Sequence, residues 1–261
     1  MATVLVGPDG TKFVIHQTLL CDRSKYFAKA LTGSFEEGTT GIVRLEDVSP
    51  ILFKIVVSWL YYGKLFYTIS DDVSTIEQAF ASFKYEEDVD KMKADDTATW
   101  PKQVLIELYV LADRLDIKEL RVNTIDALIT SMNRSKTTLE GESYTFIDLN
   151  TTVESPLWKF VVNRLAYHMR HSMVERKFWL DLPHEMAITA LLLNAQRVPR
   201  TLCGSCYLRG IIRNDVKLAA DHPCKNEDKM SSMVDDCIYH EHADDAEKKL
   251  CRASRNKNIN K

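Results

Sequence analysis

The residues best suited to chemistry lie late in the chain. Cys203 and Cys206 form a Cys-x2-Cys pair and Cys237 and His240 a Cys-x2-His pair, with Cys224, His242 and Cys251 nearby as further donors. Two pairs at this spacing can each grip one side of a Zn²⁺ ion. The result would be a tetrahedral site of three sulfurs and one nitrogen that closes a long loop. Such a site would supply folding free energy that a polar segment cannot draw from a core. The gap between the pairs fits no standard finger, and a handful of reduced thiols in a partly ordered tail is the alternative. Elsewhere the reactive residue types read as structural. His16 stands where a strand passes into a helix, placed to tie the two together through backbone hydrogen bonds. Ser24 reads as a helix cap, because no base is placed by sequence to activate it. Cys21 lies beside Leu20 on an amphipathic helix. No G-x-S-x-G elbow, G-x-x-x-x-G-K loop, G-x-G-x-x-G loop or H-E-x-x-H pair occurs, so no catalytic residue is assigned and an enzyme is not expected.

Composition narrows the class further. The 261 residues are 45% hydrophobic and 27% charged, with a formal net charge of -3, values of an ordinary globular chain. A near-neutral balance gives no general basic face for phosphate, and no direct nucleic-acid partner is expected. Lys248, Lys249, Arg252, Arg255 and Lys257 are neither dense nor interleaved with aromatics, so they read as a solvated tail. No apolar run reaches the roughly 20 residues that cross a bilayer. The N-terminus shows no secretory pattern. The expected location is cytoplasmic or nuclear, where clustered thiols are reduced or metal-bound.

The elements that must position these residues follow from periodicity and turn chemistry. Residues 3–16 predict a hairpin around Pro8-Asp9-Gly10. Leu19, Leu20, Tyr26, Phe27, Ala30 and Leu31 predict two short helices divided at Ser24. Ile42–Leu45 predicts a strand. Ser49 and Pro50 open a helix that is apolar on nearly every face and ends at Gly63. Residues 68–102 turn acidic and polar and are expected to be a solvated insertion. Leu105, Leu108, Leu111, Ala112 and Leu115 mark one helix, and Ile117, Leu120, Ile125, Leu128 and Ile129 a second. Residues 133–152 read as loop. Trp158 to Met169 and Pro183 to Ala195 give two more helices, and the chain from about 198 is charged and weakly periodic.

Phe13, His16, Leu20, Ser24 and Phe27, at their spacing, resemble the opening signature of the BTB/POZ domain. The resemblance continues in order through Phe35-Glu36-Glu37, Leu45-Glu46-Asp47, Pro50-x2-Phe53 and Trp59-Leu60-Tyr61-Tyr62-Gly63. It extends to the helix containing Leu108, Tyr109, Ala112 and Asp113. It implies an α+β fold, a helical cluster with a short flanking sheet, followed by a mostly helical C-terminal region. The expected domains are 1–130 as the BTB/POZ domain with the insertion at about 68–102, 131–200 as a helical accessory region, and 201–261 as the cysteine-bearing tail. Many fungal proteins carry a BTB domain followed by a polar insertion, a few helices and a Cys-x2-His-x-His tail, to which Cys237-Ile-Tyr-His240-Glu-His242 is similar.

Function follows from the resemblance. BTB domains are non-enzymatic protein-protein interaction modules. In those that serve as substrate adaptors of a cullin ubiquitin ligase, a hydrophobic-x-Glu triplet contacts the scaffold. By resemblance Phe35 and Glu37 occupy those positions as partner-binding residues. The alternative is a nuclear scaffold or transcription-associated BTB protein without a ligase role. The first strand starts within a few residues of Met1. This leaves no room for the elements through which many BTB domains pair, so a swapped N-terminal homodimer is not expected.

Overall fold

The computed structural model describes residues 1–67, 93–135, 139–168, 176–201, 235 and 237–259. The chain divides into two compact units, Met1–Thr137 and Thr138–Lys261.

In the first unit, β1 (Ala2–Val6) and β2 (Thr11–Ile15) form the expected hairpin, antiparallel with Ala2 opposite Ile15 and Val6 opposite Thr11. The turn between them needs Gly7: its φ is +77°, and a Cβ there would meet the Pro50 ring at 3.0 Å. After α1 (Gln17–Arg23), α2 (Lys25–Thr32) and α3 (Glu36–Thr40), strand β3 (Ile42–Leu45) returns parallel to β1, giving the order β2-β1-β3. Alternation along β1 buries Ala2, Val4 and Val6, which turns one sheet face onto the helices.

Helix α4 (Pro50–Tyr62) starts with Ser49 at the N-cap position and Pro50 in its first turn. It buries Leu52, Phe53, Ile55, Val56, Trp59 and Leu60, as its all-round apolar sequence requires. Phe53 takes Phe13 edge-on at 5.1 Å and Phe27 at 6.4 Å, joining sheet, α2 and α4 in one aromatic cluster. Helices α5 (Lys102–Arg114) and α6 (Lys118–Ser135) pack as a pair on the apolar faces read from the sequence. The Trp59 indole donates to Asn123 Oδ1 at 2.7 Å and so fastens α4 to α6.

His16 does tie elements together, but through a side chain. Its Nδ1 lies 2.8 Å from the Tyr61 hydroxyl, and its backbone N–H donates to the same oxygen at 3.3 Å. Most of the acidic stretch, 68–92, falls outside the described residues. Its end is no solvated loop, however. Thr97–Thr99 forms a short 3₁₀ turn, and Trp100 is only 2% exposed, its indole donating to Lys93 O at 2.9 Å.

The second unit contains α7 (Gly141–Asn150), α8 (Pro156–His168), α9 (Arg176–Asp181), α10 (His184–Thr201) and α11 (Asp245–Ile259). Residues 133–152 are therefore mostly helical rather than looped. Helix α6 runs on to Ser135, and α7 buries Ser143, Tyr144 and Ile147. Helix α8 is the core of this unit, with Leu157, Phe160, Val161, Val162 and Leu165 buried. Helix α10 packs against it, burying Met186 and Ala190. Burial pushes the Tyr144 phenol well above its usual range, so it stays neutral. Burial also lowers the Arg164 guanidinium somewhat. Among the described residues no helix is long and apolar enough to cross a membrane.

Candidate functional site

Two places carry the residues singled out by the sequence. The first is the short connection from α2 to α3. Gly33 and Gly38 permit backbone contact there: a Cβ on Gly33 would sit 2.5 Å from Lys29 O, and one on Gly38 2.4 Å from Gly33 O. The tight approach leaves Phe35 at the N-cap position of α3 with 63% of its surface exposed, although its ring is large and apolar. Glu36 and Glu37 fill the first turn of α3, where the helix dipole favours carboxylates. Glu37 is half-buried, and its carbonyl accepts from Gly41 N–H at 2.8 Å. The arrangement presents one aromatic anchor beside acids, a combination suited to a partner with an apolar pocket and a basic rim.

The second place is in the second unit, where a turn at Cys237–His240 meets α11. The turn is built locally: His240 N–H donates to Cys237 O at 3.1 Å and Ile238 N–H to Asp235 O at 3.2 Å. Tyr239 is buried and meets the Phe160 ring edge-on at 5.2 Å, which seats the turn on α8. Helix α11 begins with a reciprocal cap. Glu247 N–H donates to Asp244 Oδ1 at 2.8 Å, and Ala243 N–H donates back to Glu247 Oε2 at 2.6 Å. That fixed start places Cys251 on the helix toward the turn.

Cys237, His240, His242 and Cys251 consequently offer four donor atoms that all lie within 4.8 Å of one another. Cys237 is 1% exposed and His240 8%, whereas His242 and Cys251 are half-buried. His240 Nδ1 already lies 3.3 Å from Cys251 Sγ. Asp235 braces both sides of the group. Its carboxylate accepts from Cys237 N–H at 3.0 Å and from Arg252 Nη2 at 2.5 Å, with Lys248 Nζ at 3.5 Å. Burial alone would push the Asp235 carboxyl up, but the Arg252 and Cys237 hydrogen bonds and the nearby cations outweigh it and hold it below the usual carboxylate range.

Of the four expected metal ligands, the structure thus brings Cys237 and His240 together, while Cys203 and Cys206 lie outside the described residues. His242 and Cys251 complete the group instead. The donor set of two thiols and two imidazoles fits a tetrahedral borderline-soft cation. His242 and Cys251 both read from the sequence as further donors, His242 because it follows His240 by two residues. Cys251 enters only through the fold of α11.

Comparison with known proteins agrees with the first unit. Residues 2–99 match the family model of the BTB/POZ domain. Over 62 residues the chain is 29% identical to Kelch repeat and BTB domain-containing protein 4 of Homo sapiens, and equally so to its counterparts in Mus musculus and Pongo abelii. The match covers 24% of this chain and 12% of each relative, so the chain spans only a small part of those proteins. The β2-β1-β3 sheet and the helices α1 to α4 behind it lie within the stretch, residues 2–99, over which the chain is similar to the BTB/POZ domain.

Proposed function

We propose that this chain is a non-enzymatic interaction protein whose BTB/POZ domain serves as a substrate adaptor for a cullin ubiquitin ligase. The observation that carries the reading is Phe35, an aromatic ring 63% exposed at the head of α3 with Glu37 in the turn behind it. Leaving such a ring in water forgoes roughly 1.5–3 kcal/mol of burial, a cost that docking into an apolar pocket recovers. The half-buried Glu37 carboxylate would then fix the orientation by meeting a basic group on the scaffold. The second unit would offer the surface that selects what is brought to the ligase. In it cysteine and histidine side chains would hold a structural zinc ion.

Binding of purified protein to the N-terminal region of a cullin, measured by calorimetry, tests the adaptor role. Capture by the unmodified chain and its loss in the Phe35→Ala/Glu37→Ala double variant is the expected result. Failure of the folded, unmodified chain to bind any cullin removes the adaptor role. Chromatin association under those same conditions would favour the nuclear scaffold instead.

A further inference from the structure

The reading of a zinc ion in the second unit leaves its ligands to be assigned. Resting on that reading, we propose that the ion is held by Cys237, His240, His242 and Cys251 as a closed S₂N₂ site within segment 237–251, with no ligand from Cys203 or Cys206. The distances favour this set. Zinc-sulfur and zinc-nitrogen bonds of about 2.3 and 2.0 Å put neighbouring ligands of a tetrahedron roughly 3.3–3.8 Å apart. The His240 Nδ1 to Cys251 Sγ separation of 3.3 Å is already one such edge, and none of the others exceeds 4.8 Å. Closing them around an ion takes shifts on the order of 1 Å or less, within reach of side-chain rotation.

The surroundings are built for a structural ion. Asp235 accepts from the backbone N–H of Cys237 and from Arg252, the residue after Cys251. Tyr239 anchors the turn that carries Cys237 and His240. Binding displaces one proton from each thiol while both imidazoles bind neutral, so Zn²⁺ and two thiolates make a site without net charge. Neutrality suits a group two of whose four ligands are buried. Four protein donors leave no open position, which makes the site structural rather than catalytic. An open depression lined by Cys237, His242, Asp244 and Asp245 gives the cation a route in, with two carboxylates at its mouth.

The ion would do for α11 what apolar burial does not. Among its described side chains Leu250 is 73% exposed, and the helix is tied to its unit by the Asp235–Arg252 clamp and by Cys251.

X-ray absorption at the zinc edge, on the whole 261-residue chain purified without chelator, tests the assignment without a variant. One equivalent of zinc in an S₂N₂ shell is expected. An S₃N shell, as Cys203, Cys206, Cys237 and His240 would give, overturns the assignment while leaving the zinc reading intact. Less than a tenth of an equivalent, persisting after equimolar zinc is added under reducing conditions, overturns both. Variants identify the residues. Cys203→Ser/Cys206→Ser should keep the full equivalent, and His242→Ala and Cys251→Ser should each lose most of it. Zinc lost from the first variant and kept in the other two overturns the assignment.

Discussion

Ser24 shows how much one side chain can organise. Its hydroxyl accepts from Phe27 N–H at 3.1 Å, capping α2, and donates to Leu115 O at 2.5 Å, at the far end of α5. The residue is 1% exposed, so both partners would lose a hydrogen bond in a place water does not reach. Ser24→Ala should therefore cost about 1–3 kcal/mol, read from the shift in urea midpoint with an unchanged denaturant slope. A loss below about 0.5 kcal/mol would mean that water or a neighbour replaces the hydroxyl. The cap was legible in the sequence, because a serine between two apolar periods has few other roles. The Leu115 carbonyl was not, since nothing in local spacing announces a partner 91 residues away. His16 gives the same lesson from the other side: its place at a junction was readable, and the Tyr61 hydroxyl that holds it was not.

Among elements, those with a strong apolar period were readable and those held by polar contacts were hidden. Helices α4, α5 and α8 show their buried faces in the order of their residues. Helix α7 did not, because only Ser143, Tyr144 and Ile147 are buried and its Tyr, Thr, Phe and Ile residues are indifferent helix formers. Helix α11 is polar nearly all round and reads as tail until Asp244, Glu247 and Asp235 are seen bracing it. The 3₁₀ turn before α5 was masked by the acids that precede it. Yet Tyr67 N–H donates to Ala94 O at 3.2 Å, and the Tyr67 and Trp100 rings lie 5.6 Å apart, so this turn closes the base of the acidic stretch. Trp100→Ala should remove about 3–5 kcal/mol from the first unit, measured by chemical denaturation. A loss under about 1 kcal/mol would show that the ring anchors nothing.

For the whole molecule, the uneven placement of cysteines separates two ways of holding a fold together. The first unit, with Cys21 alone, relies on an aromatic and aliphatic core, whereas the second adds a Cys/His group to the one around α8. Half of that group, Cys237 and His240, was legible from the x2 spacing. His242 and Cys251 were legible only as further donors nearby, because the helix start that brings Cys251 to the turn is defined by the capped structure. Removing metal with a chelator should raise amide hydrogen exchange in 237–254 and leave α4, α5 and α6 unchanged. If zinc is present at a hundred times its Kd, the lost stabilisation is about 2.7 kcal/mol. Equal loosening of both units would mean that the metal site is not local to the second.

The central position of β1 also has a consequence in time. This strand leaves the ribosome before nearly all of its partners. Its parallel neighbour β3 lies some forty residues later, and the bonds from Ser24 to Leu115 and from Trp59 to Asn123 close only after α5 and the start of α6 have emerged. At synthesis rates of roughly 5–20 residues per second, the parallel edge of β1 waits about 2–8 s for β3 to emerge. During that interval the nascent chain presents an apolar strand edge, and it is then, rather than after release, that this protein has most need of a chaperone.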